Sequence, residues 1–251
     1  MTGYALPNDW ELADRRLALL EACHDPSSIR RAQALGVGAG WHCLDAGAGG
    51  GSFARWLAAR VGDEGRVVAA DLDVTVLERL DAPGVEVRRL DLVRDELPAE
   101  AFDFVHTRLV LLHIPEREQV LRRLVGTLRR GGVLMVEEDD IFPLAATTSG
   151  AYRAGWAAFL ETMEQASTDG DWARRLPEHL DALGLAEVDA EVDTQLFRGG
   201  SEPAQFWSLT WAQVRERVRA TADLDEGRAV LEDPRLWFYG PAKIIAWGRR
   251  C

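Results

Sequence analysis

The chain is poor in cysteine and short of positive charge. Its 251 residues include three cysteines, Cys23, Cys43 and Cys251, with neither metal-site spacing nor an even pairing. That argues against a disulfide-stapled fold and suits a reducing compartment. Lys and Arg number 29 against 41 Asp and Glu, a net charge of -12. Such a deficit disfavours nucleic acid, which calls for a basic face, and a polybasic contact with a membrane surface. No apolar run is long enough to cross a bilayer, and Met1-Thr2-Gly3-Tyr4 lacks the basic-then-apolar pattern of a secretory leader. There is no internal repeat and no low-complexity linker. The expectation is a cytoplasmic monomer or homodimer that acts on a small molecule, without nucleic-acid or membrane partners.

What is present is a core-forming composition, 47% hydrophobic, and nine tryptophans. The chain is organised around Trp41-His42-Cys43-Leu44-Asp45-Ala46-Gly47-Ala48-Gly49-Gly50-Gly51-Ser52-Phe53. A short apolar run ends in an acid, a glycine-dense turn follows, and Phe53 to Arg60 reads as a helix. Strand, glycine turn and helix in that order form a nucleotide cradle, because bare backbone admits a ligand and the helix start presents free N–H groups. A dinucleotide site favours G-x-G-x-x-G, whereas here the spacing is Asp45-x-Gly47-x-Gly49-x-Gly51 and Ser52 stands where the third glycine would fall. An acid facing the pocket would repel a pyrophosphate and attract a cation. S-adenosylmethionine carries an ammonium and a sulfonium and no phosphate, so Asp45 reads as an ammonium-side group. A ligand-free turn and a nicotinamide or flavin site are the competing readings.

Around this motif the chain alternates strands and helices. Two short helices precede it: one from about Trp10 to Cys23, and one from Ile29 to Leu35 behind an Asp25-Pro26-Ser27-Ser28 cap. Arg66 to Asp71 is a buried strand ending in an acid about 20 residues past the glycines, the place of a ribose ligand, with Leu72 beside the adenine. A helix spans Val74 to Leu80, then come strands at Val85 to Asp91 and Phe102 to Arg108. A helix follows from Glu116 to Arg130, then a strand from Val133 into the acids Glu137 to Asp140. Beyond residue 142, helices are expected at Tyr152 to Ala166, Trp172 to Leu185 and Glu202 to Asp223. Strands are expected at Ala186 to Leu196 and Ile244 to Gly248. Ligands in open parallel sheets lie beyond the carboxyl ends of the strands where strand order reverses. That places His106, Arg108 and His113 near a reaction centre. Histidine can take a proton near neutral pH, and the alternative is a histidine bonded to backbone.

The glycine motif with Asp71 resembles motif I and its sequel in the class I S-adenosylmethionine-dependent methyltransferases. The run Phe102-Asp103-Phe104-Val105 with Leu111-Leu112-His113-Ile114-Pro115 resembles members acting on specialised metabolites and quinones. The resemblance is firm over about residues 36–140. It implies an α/β fold: a Rossmann-like, seven-stranded, mostly parallel sheet with helices on both faces and an added helical lid. It further implies a lid at 1–40, a donor-binding core at 41–142, and the remaining strands with acceptor-covering helices at 143–251. The implied activity is methyl transfer from S-adenosylmethionine to a small aromatic or apolar acceptor, such as an indole alkaloid, phenol or polyketide, at carbon, nitrogen or oxygen. Donor contacts would fall on Asp45, Gly47, Gly49, Gly51, Asp71, Leu72, Asp91, Leu92 and His106. His113 is the first candidate base and His106 the second. Tyr4, Trp10, Arg108, Glu138 and Tyr239 are candidate acceptor contacts, and no metal is expected. No Asn-Pro-Pro-Tyr run is present, which counts against enzymes acting on the amino groups of bases or glutamine. Two rivals remain. A short-chain oxidoreductase needs Tyr-x-x-x-Lys, but Tyr152 is followed by Trp156. The other is a non-catalytic scaffold that binds the donor.

Overall fold

The computed structural model of the chain describes Leu6 and residues 10–251. Seven strands form one sheet: β1 (His42–Ala46), β2 (Arg66–Asp71), β3 (Val85–Arg89), β4 (Phe102–Arg108), β5 (Leu128–Asp140), β6 (Ala186–Arg198) and β7 (Trp237–Arg249). Their order is β3-β2-β1-β4-β5-β7-β6. The first five run parallel, and β7 lies antiparallel to both β5 and β6. Strand order reverses between β1 and β4, so a crevice opens at their carboxyl ends.

Alternation along the strands builds two cores, since neighbouring side chains point to opposite faces. Leu44, Ala46, Val105, Leu134 and Val136 face α3 (Arg117–Thr127) and α5 (Leu176–Ala182), where Leu121, Leu124 and Leu180 are buried. Cys43, Phe104, Val133 and Met135 face α2 (Ser52–Val61) and the end of α1 (Ala13–Ala34), meeting Phe53, Leu57 and Ala32. A third cluster belongs to α4 (Gly150–Gln165), α6 (Glu202–Val214) and α7 (Thr221–Val230). There Tyr152, Trp156, Phe159 and Trp211 pack with Phe197 and Phe238 of the sheet. Gly155 and Gly227 let α4 and α7 close on Trp211: a Cβ at either would stand 2.7 or 2.8 Å from its ring.

Several boundaries differ from the sequence reading. The expected pair of N-terminal helices is one helix, α1, with Pro26 inside it. Proline lacks the N–H that would bond the Ala22 carbonyl, but Ala22 is exposed, so water can serve that carbonyl. Ser27 and Ser28 both donate to the His24 carbonyl, each at 3.0 Å, turning a cap-like sequence into an interior turn. The segment 74–80 holds only a 3-10 turn, Leu77–Arg79. α3 ends at Thr127, because Leu128 already pairs with Phe102. The helix expected at 172–185 is a 3-10 turn, Trp172–Arg175, followed by the short α5. The one expected at 202–223 is split into α6 and α7. No helix among the described residues is long and apolar enough to cross a membrane.

Candidate active site

The glycine turn lies at the carboxyl end of β1. Gly47 has φ 80° and its backbone presses on Val110, where a Cβ would come within 2.1 Å of Cγ2. Gly47 and Ala48 N–H both donate to the Ala70 carbonyl, at 2.7 and 3.0 Å, tying the turn to β2. Gly49 N–H donates to Asp71 Oδ2 at 2.9 Å. Gly51, at φ 85°, caps α2 and is packed against Leu77 and Leu80. Glu21 of α1 reaches across this helix start. Its Oε1 accepts from Ser52 N–H at 3.3 Å and sits 2.2 Å from where a Gly50 Cβ would be. The usual anion position at a helix N-terminus is therefore taken by a carboxylate of the chain itself. Burial raises the Glu21 pKa.

A cavity of about 640 Å³ opens above the turn. One end is lined by Gly47 to Gly50, Glu21, Asp71, Leu72, Asp91 and Leu92. The other is roofed by Trp156, Phe159, Met163, Phe206 and Trp207. Arg108, His113 and Asp139 stand along its walls. Asp71 Oδ1 accepts from Asp73 N–H and Asp91 Oδ1 from Val93 N–H, so backbone aims both carboxylates. Burial raises the Asp71 pKa.

The structure redistributes the other candidates. Asp45 is not among the residues lining the cavity. Its Oδ1 meets His106 Nδ1 at 2.7 Å inside the sheet, on the face that carries α1 and α2. His106 Nε2 meets Glu137 Oε1 at 2.9 Å, and Ser28 donates to Glu137 Oε2 at 3.0 Å. Burial alone would depress the His106 pKa, but its bonds to Asp45 and Glu137 outweigh that and raise it. Burial alone would raise the Glu137 pKa, and its bond to His106 turns the shift downward. His106 thus sits between two carboxyl groups inside the sheet, and it is not among the residues lining the cavity. Gly51 acts through the helix cap rather than the cavity wall. Arg108 lines the cavity while its guanidinium donates to Asp25 and to Ser28, each at 2.9 Å. His113 Nδ1 meets Thr168 Oγ1 at 2.9 Å. Burial, with Arg16 and Arg117 near, pushes its pKa down to about 4.

Of the remaining acceptor candidates, Tyr4 lies outside the described residues. Trp10 is half-buried in the turn before α1 and is not among the described residues that line the cavity. Tyr239 is exposed on β7, with its carbonyl accepting from Tyr152 OH at 2.9 Å. Glu138 points to the opposite face of β5 from the one facing α1. Its Oε1 accepts from Val110 N–H at 3.2 Å and Leu111 N–H at 2.7 Å, and burial pushes its pKa up to about 8. It braces the turn after β4 and contacts no ligand space. The acid that does face the cavity is its neighbour Asp139. Strand alternation held that information, but where the strand would end did not show in the sequence. Glu21 was missed as well, since nothing local to a helix surface marks it as reaching a turn 30 residues on.

A family model described as "Methyltransferase domain" matches residues 44–136. A ubiquinone/menaquinone biosynthesis C-methyltransferase of Enterobacter sp. is 31% identical over 196 residues, 74% of this chain and 73% of that protein. Methyltransferase str2 of Strobilurus tenacellus is 31% identical over 151 residues, 58% of this chain; the alignment spans about half of that relative, 54%. The fold is shared with a phosphoethanolamine N-methyltransferase from Haemonchus contortus solved with S-adenosylhomocysteine: TM-score 0.57 and 18% identity, with 95% of this chain and 53% of that one covered. The chain belongs to the class I S-adenosylmethionine-dependent methyltransferases, and S-adenosylmethionine is its cofactor. The residues present fit that donor: bare backbone at Gly47 and Gly49, carboxylates at Asp71 and Asp91, and an acid rather than a phosphate-binding gap at the start of α2.

Proposed function

We propose that this methyltransferase acts on a small, flat, largely apolar organic molecule. One observation carries the reading: a single cavity joins the glycine turn and Asp71 to a roof of tryptophan and phenylalanine. S-adenosylmethionine supplies an activated methyl group on a sulfonium. Asp71 would hold the ribose hydroxyls, Asp91 with Leu92 the adenine, and Glu21, rather than Asp45, the ammonium. Trp156, Phe159, Phe206 and Trp207 would clamp the acceptor and exclude water, aligning it for in-line attack. A flat ring suits such walls, and the C-methyltransferase name of the Enterobacter relative supports a ring acceptor. His113 lines the same space, held by Thr168, and serves as a wall residue. A nicotinamide dinucleotide suits the site poorly, because the Glu21 carboxylate stands where its pyrophosphate would rest. The net charge of -12 and the roofed cavity favour a free small molecule over nucleic acid.

The test is turnover with S-adenosylmethionine and a panel of phenols, hydroquinones and indoles, scored by mass spectrometry for methylated product. Methylation of a flat ring compound is expected. Calorimetric binding of S-adenosylhomocysteine with no turnover across the panel would favour the scaffold reading instead.

A further inference from the structure

Asp139 is the carboxylate that the mechanism above leaves unused. It sits at the carboxyl end of β5, beside Ile141, Phe206, Trp207 and Pro241 on the roofed side of the cavity. It makes no hydrogen bond or ion pair with any other described side chain. Its neighbour across the strand pair is Lys243, the chain's single lysine. That ammonium is held elsewhere: it donates to Ser27 Oγ at 2.5 Å and faces the Cys23 carbonyl at 3.5 Å and Asp193 at 4.0 Å. The groups around Asp139 are Lys243 on β7, Asp193 on β6, Cys23 and His24 on α1, Arg108 on β4, and Glu137 and Asp140 on its own strand. Burial keeps His24 neutral, its pKa falling well below the usual histidine value. A carboxylate beside aromatic walls that receives no hydrogen bond from a side chain, with Lys243 acting on it only at longer range, is costly unless a ligand bonds it.

We propose that Asp139 is the acceptor-side base, receiving the proton of a ring hydroxyl on the molecule to be methylated. This rests on the methyltransferase reading above and narrows its acceptor to a phenol-type ring. For attack at oxygen, the hydroxyl oxygen bonds the methyl carbon as the carbon–sulfur bond breaks. The bonding pair stays on sulfur as a neutral thioether, and the hydroxyl proton passes to the Asp139 carboxylate. For attack at a ring carbon activated by that hydroxyl, Asp139 takes the same proton and returns it to the oxygen when the ring proton leaves to solvent. Either course releases one proton. Burial, against the pull of the Lys243 ammonium and with Glu137 and Asp140 adding repulsion, pushes the Asp139 pKa up to about 7, suited to proton exchange with a phenol near neutral pH.

The experiment uses the full chain loaded with S-adenosylhomocysteine. Calorimetry compares 2-naphthol with 2-methoxynaphthalene, between about pH 5.5 and pH 8.5, in wild type and Asp139→Asn. Wild type should prefer the naphthol, by a margin that grows about tenfold as the carboxylate ionises across the range. In Asp139→Asn the margin should be flat with pH, with S-adenosylhomocysteine affinity unchanged. A flat margin in wild type, an unchanged profile in the variant, or no naphthol binding by the loaded wild type would overturn the assignment while leaving the donor site intact. Failure to load S-adenosylhomocysteine would overturn both readings together.

Discussion

At the scale of single residues, the decisive contact is His106 between Asp45 and Glu137. It engages the acid before the glycine turn inside the sheet, so that acid does not line the cavity where a phosphate would be repelled. The sign of its pH dependence follows from the direction of the shifts. The raised His106 pKa means that its stabilisation is complete below the unfolded value of about 6.5 and fades as pH rises through the folded value. The lowered Glu137 pKa adds stability that is lost only as pH falls below the ordinary carboxylate range. His106→Gln should therefore lower the unfolding free energy from urea titration more at pH 6 than at pH 9, by about 3 kcal/mol at the lower pH. Equal losses at both pH values would show that the imidazolium contributes nothing. The sequence displayed Asp45 and His106 as separate pocket candidates. Their union depends on the β1–β4 register, Asp45 opposite His106, which is a long-range fact. Gly47, Gly49 and Asp71 were legible because local spacing alone sets where they stand.

At the scale of elements, the turn after β4 is shaped from the neighbouring strand. Glu138 accepts two backbone N–H groups there, and Leu109 holds a positive φ of 55° just before them. With its pKa near 8, Glu138 is mostly protonated at neutral pH. Gln keeps the accepting oxygen, so Glu138→Gln should leave stability and donor affinity close to wild type. Glu138→Ala leaves Val110 and Leu111 N–H unbonded and should cost about 1–3 kcal/mol, with weaker S-adenosylhomocysteine binding by calorimetry. Equal behaviour of the two variants would refute the bracing role. Helix positions were broadly legible from apolar periodicity, but α1 was not, because Asp25-Pro26-Ser27-Ser28 has the composition of a cap. What keeps it helical is tertiary: Ser28 bonds Glu137, and Asp25 pairs with Arg108. Local chemistry lost to contacts more than 80 residues away.

At the scale of the whole molecule, strand–helix alternation made an α/β fold readable, and the seven-stranded, mostly parallel sheet followed from the family resemblance. The roof was readable as expected acceptor-covering helices beyond residue 142 and as an excess of tryptophan, but its packing was not. Its geometry hangs on Gly155 and Gly227, small residues that gave no local signal. Gly227→Ala would place a methyl group 2.8 Å from Trp211 and 3.0 Å from the Gly155 backbone. Overpacking of that kind costs about 1–3 kcal/mol. The expected result is weaker binding of a ring ligand with donor affinity retained, compared by calorimetry with naphthol and S-adenosylhomocysteine. Parallel loss of both would show that roof and cradle are one mechanical unit.

The roof helices have an apolar cluster of their own, apart from the two that flank the sheet. A canopy with separate foundations can be remodelled while the floor beneath stays put. Descendants of such a chain could exchange one methylated compound for another by altering residues 150–230, inheriting the donor machinery unchanged.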